Sequence, residues 1–318
     1  MSPIIFAFIL SILVMLDIPH TLFGWYEEYL TMVWKTMEPL DYRINEINGS
    51  SVNNELYHDI GWWNRNGWAK GLHIINDVRV EYYGREIEKS HRRFEHISGT
   101  PIGMDDSTYH QFVVADIGCG GGILMEGLQN HSYVKHIKRK IKFVGVDISR
   151  HSIKEAVIHA NEHHHYHIDY KVASAYSLPF RNESIDVIML SDILDHLDDL
   201  PRAMNEVSRV LKDHGKIVFG TITRRVWSYL NICNLAEWFG LIPLGTHDYR
   251  LFITPDEMST LFNAIQFKPN EFIPMDVSWK FDWNGMVAFR NMIRFNKATL
   301  KKASCPVKGL YLGYAHKK

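Results

Sequence analysis

From Gln111 onward, short apolar and β-branched runs alternate with stretches whose apolar residues return every three or four positions. The order is "FVVADI" (112–117) then "ILMEGLQN" (123–130), and "IKFVGVDI" (141–148) then "HSIKEAVIHANEH" (151–163). After "YKVASA" (170–175) come "IDVIMLSD" (185–192), "LPRAMNEVSRVLK" (200–212) and "KIVFGTI" (216–222). The first kind of run predicts strands and the second helices. Strands alternating with helices predict a doubly wound α/β fold with a largely parallel sheet covered on both faces. Ligands of such sheets bind at the carboxyl ends of the strands.

Before Gln111 the pattern differs. Residues 46–95 read as helical and rich in aromatics, a cap ahead of the sheet. "EHISGTPIGMDDSTYH" (95–110) reads as a loop by its glycine, proline, serine and threonine content. Residues 1–45 form an apolar extension in which "IIFAFILSILVML" (4–16) is closed by Asp17 and Pro19. That run is shorter than the roughly 20 residues of a spanning helix. No basic residue precedes it, unlike a signal peptide, and it lacks the arginine-rich pattern of a presequence. "LFGWYEEYLTMVW" (22–34) adds tryptophan and tyrosine, which favour membrane interfaces. Two readings stay open: a membrane-embedded or interfacial anchor, and an apolar helix docked on the protein's own core.

The 318 residues allow two domains or one with additions, and 46% hydrophobic against 22% charged residues is a globular composition. A formal net charge of −1 gives no broad basic field for nucleic acid, so a small or membrane-borne substrate is expected instead. Three widely spaced cysteines, Cys119, Cys233 and Cys305, form neither a disulfide framework nor a CxxC zinc site and suit a reducing compartment. Sequons at Asn48 and Asn182 matter only in a secreted chain.

The first strand runs into "DIGCGGG" (116–122), with four glycines in five positions from Gly118. Such a cluster marks a turn, or a close approach of another molecule to the backbone. Gly118 and Gly120 fit the dinucleotide pattern G-x-G-x-x-G, but its third glycine is replaced by Ile123, so a pyrophosphate turn is poorly matched. The second strand ends in Asp147, where an acid can accept hydrogen bonds from ribose hydroxyls. Turn and acid together predict a ligand containing adenosine.

With "LPF…SIDVI" and the returning "VSRVLKDHGKIVFGTIT", this ordered set resembles the class I S-adenosylmethionine-dependent methyltransferases. The resemblance implies a seven-stranded sheet with a reversed last hairpin, and S-adenosylmethionine as cofactor. That molecule carries no phosphate, so glycines that clear space for its methionine end, ahead of a helix N-terminus that favours its carboxylate, suit it.

Two further stretches resemble the ubiquinone-biosynthesis O-methyltransferases: "WWNRNGWAKGLHIINDVRVEYYGREI" (62–87) and "LIPLGTHDYRLFITPDEM" (241–258). The closing "VKGLYLGYAHKK" adds to the likeness, which covers roughly residues 55–318. It implies methylation of a phenolic hydroxyl on a polyprenylated catechol. It also implies cofactor contacts at Arg79, Gly118, Asp147 and Ser191; Asp116 and Gly120 of the turn and Ser174 are further candidates. Arg79 is a candidate fork for the methionine carboxylate; its alternative is a salt bridge within the N-terminal helices. Ser174 stands where many methyltransferases hold the adenine amine with aspartate.

A phenol ionises near pH 10 and attacks well only as phenolate, so a base or metal is needed. In "SDILDH", Asp192, Asp195 and His196 would share one face of a helical turn. The resembling family carries E-x-x-E-H there and binds a divalent metal. Aspartate replaces glutamate at both positions, leaving magnesium, manganese or zinc chemistry and metal-free chemistry both open. Without metal, His196 is the first candidate base and His247, in "GTHDY", the second. The five histidines of residues 159–167 read as a solvated surface at a helix end.

"RRVWSYLNICNLAEWFGL" (224–241) reads either as an interfacial segment beside the pocket or as an ordinary lid. The expected organisation is therefore an extension (1–45) and a methyltransferase domain (46–318). Within the latter, 46–95 is the cap, 111–223 the cofactor core and 224–258 the substrate segment. The family implies association with a membrane surface, the mitochondrial inner membrane by analogy, with an endomembrane or the cytoplasmic face as alternatives. It leaves room for a biosynthetic complex. Two other readings remain: the same fold acting on another small molecule, and a non-catalytic subunit of such a complex.

Overall fold

Eight strands form one sheet in the order β3-β2-β1-β4-β5-β8-β6-β7. The computed structural model describes residues 43, 45, 47, 56–57, 60–64, 67–98, 111–237, 242–281, 293–301, 307 and 309–318. Strands β1 (Phe112–Ile117), β2 (Ile141–Asp147), β3 (Ile168–Val172), β4 (Ile185–Ser191) and β5 (Leu211–Ile222) are mutually parallel. β6 (Phe267–Phe281), β7 (Ile293–Leu300) and β8 (Leu310–Lys317) complete the sheet, and β8 inserts antiparallel between β5 and β6.

Both faces are covered, as continuous apolar strands require. Val114, Phe143, Val187 and Val218 pack under helix α1 (Lys70–Ser98) and helix α2 (Ile123–Asn130). Ile117, Val146, Ile188 and Phe219 face helices α4 (Leu200–Val210) and α5 (Pro255–Ala264) on the other side. Helix α3 (Arg150–Glu162) packs on β2 and β3. The helix starts carry their own stops. Ser149 accepts the Ser152 N–H ahead of α3, Asp199 accepts the Arg202 N–H ahead of α4, and Thr254 and Glu257 form a reciprocal capping box at α5. Inside, Lys216 of β5 reaches Glu86 of α1 at 2.9 Å, a buried pair that fixes α1 across the sheet.

The doubly wound core follows the sequence pattern closely, with three differences. The sheet has eight strands rather than seven. The last half of the 15-residue β6 outruns β8, which pairs with it only as far as Met275, and β7 takes up the remaining edge. Helix α1 continues through Ser98 into the stretch expected to be a loop, because Glu95 is tied to Lys140 at 2.8 Å and Phe94 packs on Phe112. Residues 99–110 lie outside the described residues. Among the described residues of the expected cap, the α-helix begins at Lys70. Ahead of it, Gly61 at φ +62° breaks any helix, and Trp62, Trp63, Trp68 and Ala69 lie in turns. The apolar stretch 4–16 lies outside the described residues. Arg43, near the end of the extension, is fully buried and donates to the carbonyls of Leu194 and Leu197.

Candidate active site

A cavity of about 890 Å³ opens at the carboxyl ends of β1, β2 and β4. The glycine turn after β1 is stitched to the end of β2. Gly118 and Cys119 donate to the Val146 carbonyl at 2.7 and 3.0 Å, and Gly120 donates to Asp147 Oδ2 at 2.9 Å. The other Asp147 oxygen accepts the Ser149 N–H at 2.8 Å, the first hydrogen bond of the turn into α3. Burial raises the Asp147 carboxyl above its ordinary range, against the pull of those backbone donors.

The glycines admit the protein's own side chains more than open space. A Cβ on Gly120 or Gly121 would fall 2.5 or 2.3 Å from Trp62, one on Gly118 2.6 Å from Ile193, and one on Gly122 2.3 Å from the Tyr170 hydroxyl. The expectation that the turn is bare for the methionine end is thus corrected over Gly120 and Gly121, where Trp62 lies. Gly118 and Cys119 still line the cavity. Gly122 also sits at φ +84°. Left-handed backbone costs a residue with a Cβ about 1–2 kcal/mol, and overpacking adds about 1–3 kcal/mol. Gly122→Ala is therefore expected to lower unfolding free energy by roughly 2–5 kcal/mol in urea titration. Tyr170→Phe should restore part of that loss, since it removes the nearest atom; a cost unchanged in that background would remove Tyr170 from the account.

Five aspartates, Asp116, Asp147, Asp192, Asp195 and Asp198, line the cavity. Asp116 is 2% exposed at the end of β1, and burial, reinforced by Asp147 and Asp192, lifts its pKa to about 8. Arg79 of α1 reaches in from the other face and pairs with Asp192, while its Nε is buried with no hydrogen-bond partner. Ser191 ends β4 and Ser174 follows β3; both line the cavity, and the Ser174 hydroxyl accepts the Tyr176 N–H at 3.2 Å.

"SDILDH" does not form the single helical turn expected of it. Asp192 has φ +54° and its N–H donates to the Gly220 carbonyl, prolonging the strand end. The tight turn comes only at Leu194–His196. Asp192 consequently faces Arg79, and the donors that gather are Asp195, His196 and His247, with one ligand atom of each within 4.8 Å of the others. Asp195 is fully buried. Its Oδ1 accepts the Thr221 hydroxyl at 3.2 Å, and its Oδ2 has no hydrogen-bond partner among the described residues, with His196 Nε2 at 3.6 Å and His247 Nε2 at 3.8 Å. The Tyr57 hydroxyl lies 3.4 Å from His196 Nε2.

His247 arrives on the loop after the helical segment Tyr229–Ala236. Glu237 holds that loop, its carboxylate accepting the Gly245 N–H at 2.9 Å and the His247 N–H at 3.2 Å. Burial and the neighbouring His196 lower the His247 imidazole to about 4, so it stands neutral at pH 7. Beyond this cluster the cavity turns apolar, lined by Ile222, Ile232, Ala236, Ile242, Pro243 and Leu310.

Sequence reasoning singled out the tryptophan segment but gave its residues no role. Trp62 donates to Ser152 Oγ at 3.0 Å, the same hydroxyl donates to the Tyr57 carbonyl at 3.1 Å, and Trp63 donates to the Gly121 carbonyl at 2.9 Å. This segment thereby lies across the glycine turn. Tyr57, Arg43 and Glu237 carried no signal beyond their residue types. The histidine run is only partly a solvated surface. His159 stacks on Trp63 at 3.4 Å between ring centres, and its Nδ1 lies 2.8 Å from Oε2 of Glu126, a buried carboxyl raised to about 8 by desolvation.

Residues 115–219 match the family described as Methyltransferase domain. The chain is 31% identical over 245 residues to the ubiquinone biosynthesis O-methyltransferase of Pelagibacter ubique, covering 74% of this chain and 93% of that one. It is 33% identical over 199 residues to the enzyme of the same name from Coxiella burnetii, covering 62% and 73%. Among solved structures, a SAM-dependent methyltransferase from Aquifex aeolicus aligns over 66% of this chain and 84% of its own, at 12% identity and a TM-score of 0.44.

Proposed function

The chain belongs to the family of ubiquinone-biosynthesis O-methyltransferases, and from that membership we propose that it methylates a phenolic hydroxyl of a polyprenylated catechol, with S-adenosylmethionine as donor. One observation carries the substrate class. A single cavity joins an acidic half, at the ends of β1, β2 and β4, to an apolar half beside Ile232 and Ile242, and Asp195, His196 and His247 also line it. An adenosine-bearing cation suits the first half and a prenyl chain the second.

The donor supplies an activated methyl on a sulfonium, so the protein's work is chiefly alignment. Asp147 is the acceptor for the ribose hydroxyls. The open Nε of Arg79 offers a donor to the methionine carboxylate, with Asp192 holding the guanidinium in place. Asp116 and Asp147 give the sulfonium a negative setting, Gly118 and Gly120 shape the turn, and Ser174 and Ser191 border the adenosine.

The acceptor hydroxyl must lose its proton near Asp195. The donor set there fits a divalent metal: one buried carboxylate oxygen without a hydrogen-bond partner and two imidazoles facing it. Asp195, His196 and His247 would hold it, with Asp192 engaged by Arg79 instead. Such an ion, when bound, would lower the pKa of a coordinated phenol. Without it, His196 is the base, because the lowered affinity of His247 for a proton leaves it a weak one.

Among the described residues no helix is long and apolar enough to cross a membrane. The apolar cavity wall formed by Ile232 and Ala236 supports a substrate drawn from a membrane surface, the mitochondrial inner membrane by family analogy. The test is methyl transfer from labelled donor to a short-chain prenyl catechol, with and without magnesium, manganese or zinc. Donor binding with transfer to the catechol upholds the proposal. Donor binding without transfer to any catechol, metal present, moves the acceptor to another class of small molecule.

A further inference from the structure

We propose that Glu126, His159 and His163, with His165 beside them, form a second metal site of the zinc class, separate from the catalytic cavity. One carboxylate oxygen and two imidazole nitrogens of the first three lie within 4.8 Å of one another. Glu126 stands on α2, while His159 and His163 stand four residues apart at the end of α3, the spacing that turns two imidazoles to one side of a helix. His165 Nε2 approaches the same Glu126 Oε2 at 3.6 Å. Three imidazoles and a carboxylate are a donor set of zinc and its neighbours, rather than of calcium or magnesium.

Two features separate this cluster from a chance meeting of surface histidines. Glu126 is 4% exposed and its Oε1 has no hydrogen-bond partner among the described residues, an arrangement that costs free energy unless something else satisfies it. His159 is also held between partners. Its ring stacks on Trp63 at 3.4 Å on one side and on His163 at 3.9 Å on the other. Ligands of a tetrahedral zinc lie roughly 3.4 Å apart, given bonds of about 2.1 Å. The adjustment required falls on His163, whose side chain is exposed and can swing.

The site would also act at a distance. It would clamp α2, which begins where the glycine turn ends, to α3, which begins just after Asp147. Trp63 lies against it and donates to Gly121. A bound ion would thus stiffen the glycine turn, whose Gly118 and Cys119 line the cavity, without entering that cavity.

The experiment uses the full chain, stripped with a chelator and titrated with zinc against a chromophoric competitor. Asp195→Asn takes the carboxylate out of the donor set of the catalytic cavity and so weakens any metal held there. About one zinc per chain should remain in Asp195→Asn, and His163→Ala should weaken that binding at least 100-fold, above the range for losing an outer-shell partner. Zinc should raise the melting temperature of the wild type and not that of His163→Ala. Cobalt(II) should give the visible bands of a tetrahedral site in wild type and in Asp195→Asn alike. Loss of all zinc in Asp195→Asn, or binding unchanged in both His163→Ala and Glu126→Gln, overturns the proposal. Should Asp195→Asn fail to fold, the zinc stoichiometry of wild type against His163→Ala decides the same question.

Discussion

Asp147→Ala is expected to weaken S-adenosylmethionine binding by roughly 100-fold or more in calorimetric titration while leaving the circular dichroism spectrum unchanged. A hydrogen bond to a charged acceptor contributes about 1.5–3 kcal/mol, and a tenfold change in affinity is about 1.4 kcal/mol. Losing both ribose hydrogen bonds, about 3–6 kcal/mol together, therefore reaches that range. The fold should survive because Asp147 stabilises it little at neutral pH. Its raised carboxyl pKa means that burial opposes the charged form, so its removal relieves a desolvation cost while freeing the Gly120 and Ser149 N–H groups. Affinity should also follow pH in a set direction. A carboxylate that must be ionised to bind, with its pKa raised in the empty site, loses affinity as pH falls through that raised value. Asp116, near 8 in the empty site, is mostly protonated at pH 7, so an arriving sulfonium should release protons. Equal binding enthalpies in buffers of different ionisation enthalpy would exclude that release, and unchanged affinity of Asp147→Ala would remove the assignment of Asp147.

The parts of this molecule legible in its sequence are those fixed by local pattern. "ILMEGLQN" is the helix it reads as, and "IDVIMLSD" the strand, because each needs only its own periodicity and its own ends. The cavity's position at the strand ends follows from topology. What could not be read depends on contacts between distant segments. The i, i+3, i+4 spacing of Asp192, Asp195 and His196 assumes a helix, yet the Gly220 carbonyl holds the Asp192 N–H at the strand end with its backbone left-handed, and Arg79 draws its side chain away. His247 enters the cluster from a loop 51 positions after His196, held by a glutamate that no motif marked. Trp62 fills space beside Gly120 and Gly121 that the glycines were expected to clear for a ligand. The histidine run looked solvated because its partner, Glu126, lies 33 residues earlier on a different helix.

Asp195→Asn is expected to reduce kcat for methyl transfer by about 10²–10⁴-fold, the span assigned to a positioned proton acceptor, while the affinity for S-adenosylmethionine changes less than about threefold. The separation follows from placement. Asp195 lies beyond the cofactor turn, and its contacts are Thr221, His196 and His247 rather than the glycine backbone or Asp147. The substitution keeps the shape and one acceptor for Thr221, but puts an amide where a carboxylate oxygen now has no hydrogen-bond partner. The two accounts of proton removal then diverge. If a metal is held there, wild-type activity rises with added divalent ion and collapses with chelator, and Asp195→Asn demands far more metal for the same rate. If His196 acts alone, chelator has no effect, and His196→Gln reproduces the loss that Asp195→Asn gives through misplacement of the imidazole. His247→Gln separates them again. A ligand's loss lowers metal affinity, whereas a histidine that stays neutral at pH 7 contributes little as a base and its removal should cost less than tenfold. A fall in kcat of less than tenfold for Asp195→Asn, with the donor still bound, would place proton removal outside this cluster altogether.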